Sequence, residues 1–334
     1  MARILSFLIV ALAVLAVPAF VSAEGPLKGK VVNQSNGGTP MADQEVTLFK
    51  FSHSGGEPVG TARTGGDGSY SFTDVISGTA YYVSTEYNGV AFDSDPVKIG
   101  SGLEAEPLNI EVAEGTDDGK DVKVAMGHFI MDVDSTGKSL QVIEMYSISN
   151  GGKATYMGKP TADGKRETFR FKLPAGAHDV YLGAGPNATP FQGTEVVLSD
   201  PIPPGNRQAI LMYQIDYPSA PAKFVRRADY ALDQLRVLLP AGGANMTSSQ
   251  LKAEQPVSLS EQEQYSVLGG QNIAAGQEFT VEVRVGTASS TTQTSDLVKW
   301  GVIVVLALGL VLGMLRVLSR PRRSAAVPPD AGTQ

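Results

Sequence analysis

Asp132 and Asp134, followed by Gly137, Lys138 and Ser139, are the nearest this 334-residue chain comes to a ligand-binding motif. The run ends like a phosphate-binding loop, but Asp132 stands where the first glycine is required, a carboxylate where phosphate would lie. A calcium loop would use Asp132 and Asp134 with Gly137. Thr136 then holds the fifth position, where Asn or Asp is needed, and Glu144 falls one residue late. Strand-like residues flank the run on both sides, so a β-hairpin turn over Ser135-Thr-Gly-Lys138 is the favoured reading. Weak calcium binding by Asp132 and Asp134 is the metal chemistry it leaves.

Other reactive side chains are sparse. His53, His128 and His178 lie in separate segments, without a second His or a carboxylate at a metal-ligand spacing. Neither Gly-x-Ser-x-Gly nor His-Glu-x-x-His occurs, so the common hydrolase signatures are absent and no enzyme is expected. The chain has no cysteine, which removes disulfides, thiolate metal sites and haem attachment. No motif implies a cofactor. A net charge of −7 supplies no global basic field to draw nucleic acid.

Aromatic rings are the remaining candidates, because an apolar face with polar edges suits a sugar. Tyr81, Tyr87 and Phe92 are the candidate ligand-contacting residues, with core packing the commoner role for large aromatics in strands. Alternation puts Tyr81 and Tyr87 on one strand face and Tyr82 on the other, and the pair opposite Tyr82 is expected to be exposed. The elements that position them are short strands. Leu27, Gly29 and Val31 alternate with more polar neighbours, and Glu45-Val-Thr-Leu-Phe-Lys-Phe51 follows a turn cluster at 36–40. Asp67-Gly68 suits a tight turn that points Tyr70 and Phe72 to one face. With Tyr81–Tyr87 and a closing strand over Pro107–Val112, the spacing predicts a small β-sandwich over 24–115.

Leu27-x-Gly29-x-Val31, Val46-x-Leu48, Thr64…Gly68-x-Tyr70-x-Phe72 and Gly78…Tyr82-x-Ser84 together resemble the carboxypeptidase regulatory-like domain. The resemblance implies a non-catalytic, prealbumin-like sandwich, a fold similar to carbohydrate-binding-like modules. It brings no peptidase site, since the zinc-binding His and Glu pair of that family is missing. A related collagen-adhesin repeat would join a Lys to an Asn beside a Glu, here Lys30, Asn109 and Glu86. Lys30, however, alternates opposite the inward side of its strand and is expected in solvent.

Beyond a polar linker, Gly115–Lys120, a second β-rich domain is expected over 120–286. Its strand candidates are Lys123–Val133, Ser139–Ile148, Glu167–Leu173, Asp179–Leu182, Thr194–Leu198, Gln208–Ile215, Leu235–Leu239 and Glu278–Val285. Gln250–Gln264 reads as a polar loop or short helix. One sandwich is preferred, with a sub-boundary possible near Tyr217. A Ser/Thr stalk occupies 287–296.

Residues 297–318 form an uncharged apolar run broken only by Lys299 and Arg316, long enough for a membrane-spanning helix. Trp300 sits at the interface, Arg316 and the arginines of the 319–334 tail face the cytoplasm, and Gly309 with Gly313 makes a small-xxx-small motif suited to a helix-mediated dimer. Residues 1–23 read as a signal peptide. The expected fold class is therefore all-β, a small prealbumin-like sandwich followed by a larger one, on a single C-terminal transmembrane helix. The expected function is non-catalytic binding or scaffolding at the cell envelope, with polysaccharide or envelope proteins as partners beside the membrane. Carbohydrate leads as ligand class by fold analogy. The alternative is an accessory subunit that assembles a membrane complex for electron transfer or cytochrome maturation.

Overall fold

The computed structural model describes residues 26–52, 55–73, 75–100, 106–134, 137–183, 188–217, 220–258 and 263–285. The signal segment 1–23, the stalk 287–296, the tail 319–334 and the span 297–318, with Trp300, Gly309, Gly313 and Arg316, lie outside them. Among the described residues no helix is long and apolar enough to cross a membrane. Strand takes 63% of the structure and helix 1%, which makes it all-β. The chain divides into two compact units between Val112 and Ala113.

In the first unit, strand Leu27–Asn33 pairs antiparallel with Ser69–Phe72 and parallel with Ile110–Val112. The other sheet runs in the order Gly55–Arg63, Glu45–Ser52, Ala80–Tyr87, Val90–Asp93. Leu27, Val31, Tyr70 and Phe72 from one sheet and Val46, Leu48, Tyr81 and Val83 from the other are all buried, a sandwich-like core. Lys28 and Lys30 alternate with that apolar phase and stay exposed. The Lys30 ammonium pairs with Asp67 at 3.1 Å, and only its backbone N–H reaches Asn109, so no Lys–Asn crosslink geometry forms. Gly29 is required by close approach. A Cβ there would lie 2.0 Å from the Leu108 carbonyl oxygen and 2.4 Å from the Tyr70 hydroxyl, which donates to that same carbonyl.

The second unit is built on an eight-stranded sheet. Its order is Thr189–Phe191, Ala177–Leu182, Gly205–Asp216, Ser139–Asn150, Val122–Val133, Leu232–Pro240, Gln264–Ile273, Lys252–Ser258. Val122–Val133 and Leu232–Pro240 run parallel; the other pairings are antiparallel. Strand Ser139–Asn150 is buried on both faces. Leu140, Val142, Tyr146 and Ile148 enter one apolar cluster, while Ile143 and Met145 enter another on the opposite side. A three-stranded sheet, Ala222–Arg227, Glu278–Val285 and Ala244–Thr247, packs Phe224, Phe279 and Val281 into the first cluster. That cluster runs from Val124 to Val283 without a break at Tyr217, so the unit has one principal core.

Several elements differ from the sequence expectation. Gln250–Gln264 contains the edge strand Lys252–Ser258, largely exposed on both sides and therefore without an apolar alternation to reveal it. Strands Ala222–Arg227, Ala244–Thr247 and Gln264–Ile273 also appear where none was expected. The polar segment 115–120 is not a free linker. Gly115–Thr116 pairs in parallel with Thr155–Tyr156, and Asp117 accepts from Arg166.

Candidate functional site

Strand Ala80–Tyr87 turns Tyr81, Val83 and Thr85 inward, which corrects the expected aromatic patch. Tyr81 is 2% exposed and Phe92 4%, both core side chains, and the Tyr81 hydroxyl accepts from the Ile76 N–H. Tyr87 is half-buried, its hydroxyl 3.5 Å from the Asn33 amide nitrogen. The reason is the two-residue strand period: once Val83 is committed to the core, Tyr81 goes with it.

The partly open aromatic is Tyr82, on the other face. Its ring stacks on Phe49 with centroids 5.0 Å apart and planes 9° from parallel, and Phe51 meets it edge-on at 6.4 Å and 77°. Phe49 lies opposite Tyr82 in the ladder and opposite Pro58 on its other side. A Cβ on Gly56 would come within 2.0 Å of the Tyr82 hydroxyl oxygen, so this ring crosses the neighbouring strand over a glycine. Covering a strand glycine accounts for Tyr82. It does not account for Phe51, which keeps 52% of its surface in water, or for Val59 at the adjacent bulge, 46% exposed. Partial burial and the charge of Asp93 push the Tyr82 hydroxyl pKa up. The outward phase Thr47, Phe49, Phe51 was available in the sequence, since Val46 and Leu48 fix the inward one.

Asp132 and Asp134 lie at the end of the hairpin joining Val122–Val133 to Ser139–Asn150. One Asp134 carboxylate oxygen accepts from the Lys138 and Ser139 N–H groups at 2.8 and 2.9 Å, closing the turn beside Gly137 at φ +68°. Asp132 accepts from the Val133 N–H. Among the described residues no three His, Asp or Glu side chains converge as metal ligands. His128 is held neutral, its pKa pulled down to about 4 by burial and by the Arg236 charge. His178 sits between Asp179 and Asp216; burial opposes its charge, and the two carboxylates outweigh that and raise its pKa.

Sequence reasoning missed a buried ionic cluster in the second unit. Glu144 is fully buried and Arg226 is 3% exposed. The guanidinium clasps the carboxylate through Nε to Oε1 at 2.8 Å and Nη2 to Oε2 at 3.1 Å. Its Nη2 also donates to Asp229 at 2.9 Å, and its Nη1 to the Arg227 carbonyl at 2.7 Å. The hydroxyls of Tyr146, at 2.6 Å, and Tyr213 both donate to Glu144. Burial and the Glu144 charge push both phenol pKa values far up. Burial opposes the guanidinium charge, but Glu144 more than offsets it. With its groups satisfied and closed to solvent, the cluster joins two sheets and offers no reacting atom to a substrate. Its signal is the alternation Ala222, Phe224, Arg226, a cation in an apolar phase.

Asp229 belongs to this cluster, and its neighbour Tyr230 lines a cleft of about 740 Å³. Asp229 also accepts from the Lys172 N–H at 3.1 Å, and the Tyr230 hydroxyl from the Arg170 N–H at 2.6 Å. Two side chains thus occupy alternate amides along the open edge of strand Phe169–Lys172, where a neighbouring strand would otherwise pair. The cleft itself has an apolar floor of Val122, Val124, Phe169 and Tyr230 beneath a rim of acidic and basic side chains.

No family model matches the sequence, and no curated protein does. Among solved structures, an M1 zinc metallopeptidase from Deinococcus radiodurans is similar with a TM-score of 0.29 at 12% identity, over 49% of this chain and 42% of that one. A mutant of a two-domain M1 zinc metallopeptidase bound to L-tryptophan gives 0.28 at 13% identity, over 60% of this chain and 54% of that one. The chain therefore spans about half or less of these structures' length. Likeness at this level carries neither fold family nor activity.

Proposed function

We propose that this chain is a non-catalytic exported binding protein, anchored to a membrane by residues 297–318, with its first unit presenting a ligand-contacting aromatic face. In this reading residues 24–115 are a carboxypeptidase regulatory-like, prealbumin-like sandwich, and 120–286 a larger β domain between it and the stalk. The observation that carries the binding role is Phe51, half in solvent and set edge-on against Tyr82, which itself stacks on Phe49 on an outward sheet face. A large ring left open beside polar strand residues suits the apolar face of a sugar, and polysaccharide is the ligand class.

The test is co-sedimentation of the detergent-solubilised full-length protein with a panel of insoluble polysaccharides. Retention that falls about tenfold in Phe51→Ala, with unfolding unchanged, is the expected result. If no polysaccharide retains the protein and in-cell crosslinking instead recovers a fixed set of membrane proteins, the accessory-subunit role replaces this one.

A further inference from the structure

We infer that the cleft of the second unit is a separate binding site, and that it takes a monoanionic carboxylate carried on an apolar body. The argument is independent of the aromatic face on the first unit. It starts from charge. Three acidic side chains border the cleft, Asp117, Asp118 and Glu167, and each already has a cation. Asp117 pairs with Arg166, Asp118 with Lys120 at 3.1 Å, and Glu167 with Arg170 at 2.6 Å. Of the bordering lysines, Lys120 is used in this way and Lys123 pairs with Asp233 at 2.6 Å. Lys159 is left. Among the described residues no carboxylate lies within ion-pair distance of its ammonium, although Glu167 faces it across the ladder with its oxygens turned to Arg170.

Arg170 is shared between Glu167 and Glu195, and Lys159 is the bordering cation with no ion pair of its own among the described residues. A second polar group points the same way. The Tyr230 hydroxyl accepts from the Arg170 amide, but its own proton meets no acceptor among the described residues. An ammonium and a phenolic O–H bordering one cleft are both donors, so an acceptor-only group completes them. The floor sets the rest of the ligand. Val122, Val124, Phe169 and the Tyr230 ring give apolar walls, and about 740 Å³ is within the usual size of a small-molecule site. A phosphate or a second carboxylate would bring more negative charge than one lysine offsets, beside three acids.

An edge-strand lysine is the ordinary role for Lys159, beside Pro160 on a two-residue strand. That role needs no hydroxyl donor and no apolar floor, and the cleft has both.

The carboxylate has two sources, a free apolar acid or the C-terminus of a peptide, and soluble probes separate them. Titration of the full-length protein in detergent with 3-phenylpropionate, its alcohol 3-phenylpropanol, N-acetyl-Ala-Phe and the amide of that dipeptide is followed by calorimetry. Binding of at least one carboxylate is expected, with its uncharged counterpart about tenfold weaker or silent. Lys159→Met should lower that affinity about tenfold, and Lys159→Arg should retain most of it. Preference for the dipeptide acid marks a peptide terminus, and preference for phenylpropionate a free acid. Equal binding of acids and their uncharged counterparts, no binding by any probe, or indifference to Lys159→Met would overturn the assignment. Lys159 is exposed, so failure to fold does not cloud the result.

Discussion

Among the described residues, the buried polar ones of the first unit, Asn33, Thr64 and Thr85, are all neutral, whereas the second unit buries Glu144 and Arg226. In the first, uncharged bonds suffice. The Thr85 hydroxyl donates to the Glu45 carbonyl at 2.5 Å and accepts from the Gln44 amide at 2.8 Å. The Thr64 hydroxyl donates to the Met41 carbonyl at 2.5 Å and accepts from the Gln44 N–H at 2.9 Å. In the second, a desolvated ion pair needs a shell of partners, which Tyr146, Tyr213, Asp229 and a backbone carbonyl provide. Such a pair does not make a core more stable than apolar packing would. It makes one alignment of two sheets much better than its neighbours. A one-residue slip of Ala222–Arg227 would turn Arg226 to solvent and leave Glu144 buried without a cation. The smaller unit has no need of that device, because Leu27–Asn33 is already fixed by pairing on two sides.

The sharpest way to break this contrast is to remove one partner. Arg226→Met leaves Glu144 and Asp229 without their cation, and should cost the second unit roughly 3–5 kcal/mol in denaturant unfolding. Adding Glu144→Gln to the same chain should return a large part of it. In the first unit the exposed pair Lys30–Asp67 gives a matched control, and Lys30→Met should change stability by less than about 1 kcal/mol. A loss below 1 kcal/mol for Arg226→Met would mean that the cluster is hydrated and not a registry device.

Acid should separate the units next. His128 has a folded pKa of about 4 against an ordinary value of 6.5, and it lies in the second unit. Below the ordinary value the unfolded chain takes up a proton that the folded one refuses, so stability falls as pH drops from 6.5 toward 4. At pH 4 the loss is on the order of 2–3 kcal/mol. His128→Gln should flatten that fall. Across pH 7 to 5, hydrogen exchange in strands of the first unit, normalised for intrinsic rates, should show little change. A parallel decline in both units would assign the acid response to something they share.

Gly29→Ala probes the first unit from the steric side. The added methyl meets a backbone carbonyl that cannot swing away, so a loss of about 1–3 kcal/mol is expected in urea unfolding, with the second unit unchanged. Gly66, which has open space around it, is the comparison site, and Ala there should be nearly neutral.

Strands with one wet face were the most legible, and the reason is physical. Leu27, Val31, Val46 and Leu48 alternate with polar neighbours because each sheet has one wet face, which is the pattern a sequence displays. Ser139–Asn150 is covered on both faces and reads as a strand through its apolar run, whereas Lys252–Ser258, and Gly55–Arg63 in the first unit, bury little on either face and show no alternation. Strand Ala222–Arg227 does alternate, but its inward phase ends on an arginine, so a charge stands where the apolar signal should continue. The candidate sites were hidden for related reasons. Tyr81 and Tyr82 are the same residue type one position apart, and only the phase of Val83 decides which is core. The cleft draws on segments near residues 118, 159, 168 and 230, whose proximity depends on sheet order and is not written in any local motif.

The smallest expected effect concerns that same phase. Phe51 and Tyr82 share the outward face, but Tyr82 covers Gly56 and is stacked on Phe49, while Phe51 rests half in water. Tyr82→Ala should therefore cost about 1 kcal/mol through lost cross-strand contact, and Phe51→Ala within about 0.5 kcal/mol of nothing. Polysaccharide retention should rank the other way, with Phe51→Ala the more damaging. If the two substitutions lower stability equally, Phe51 is a packing residue of the same cluster, and the open ring on which the ligand face rests is not one.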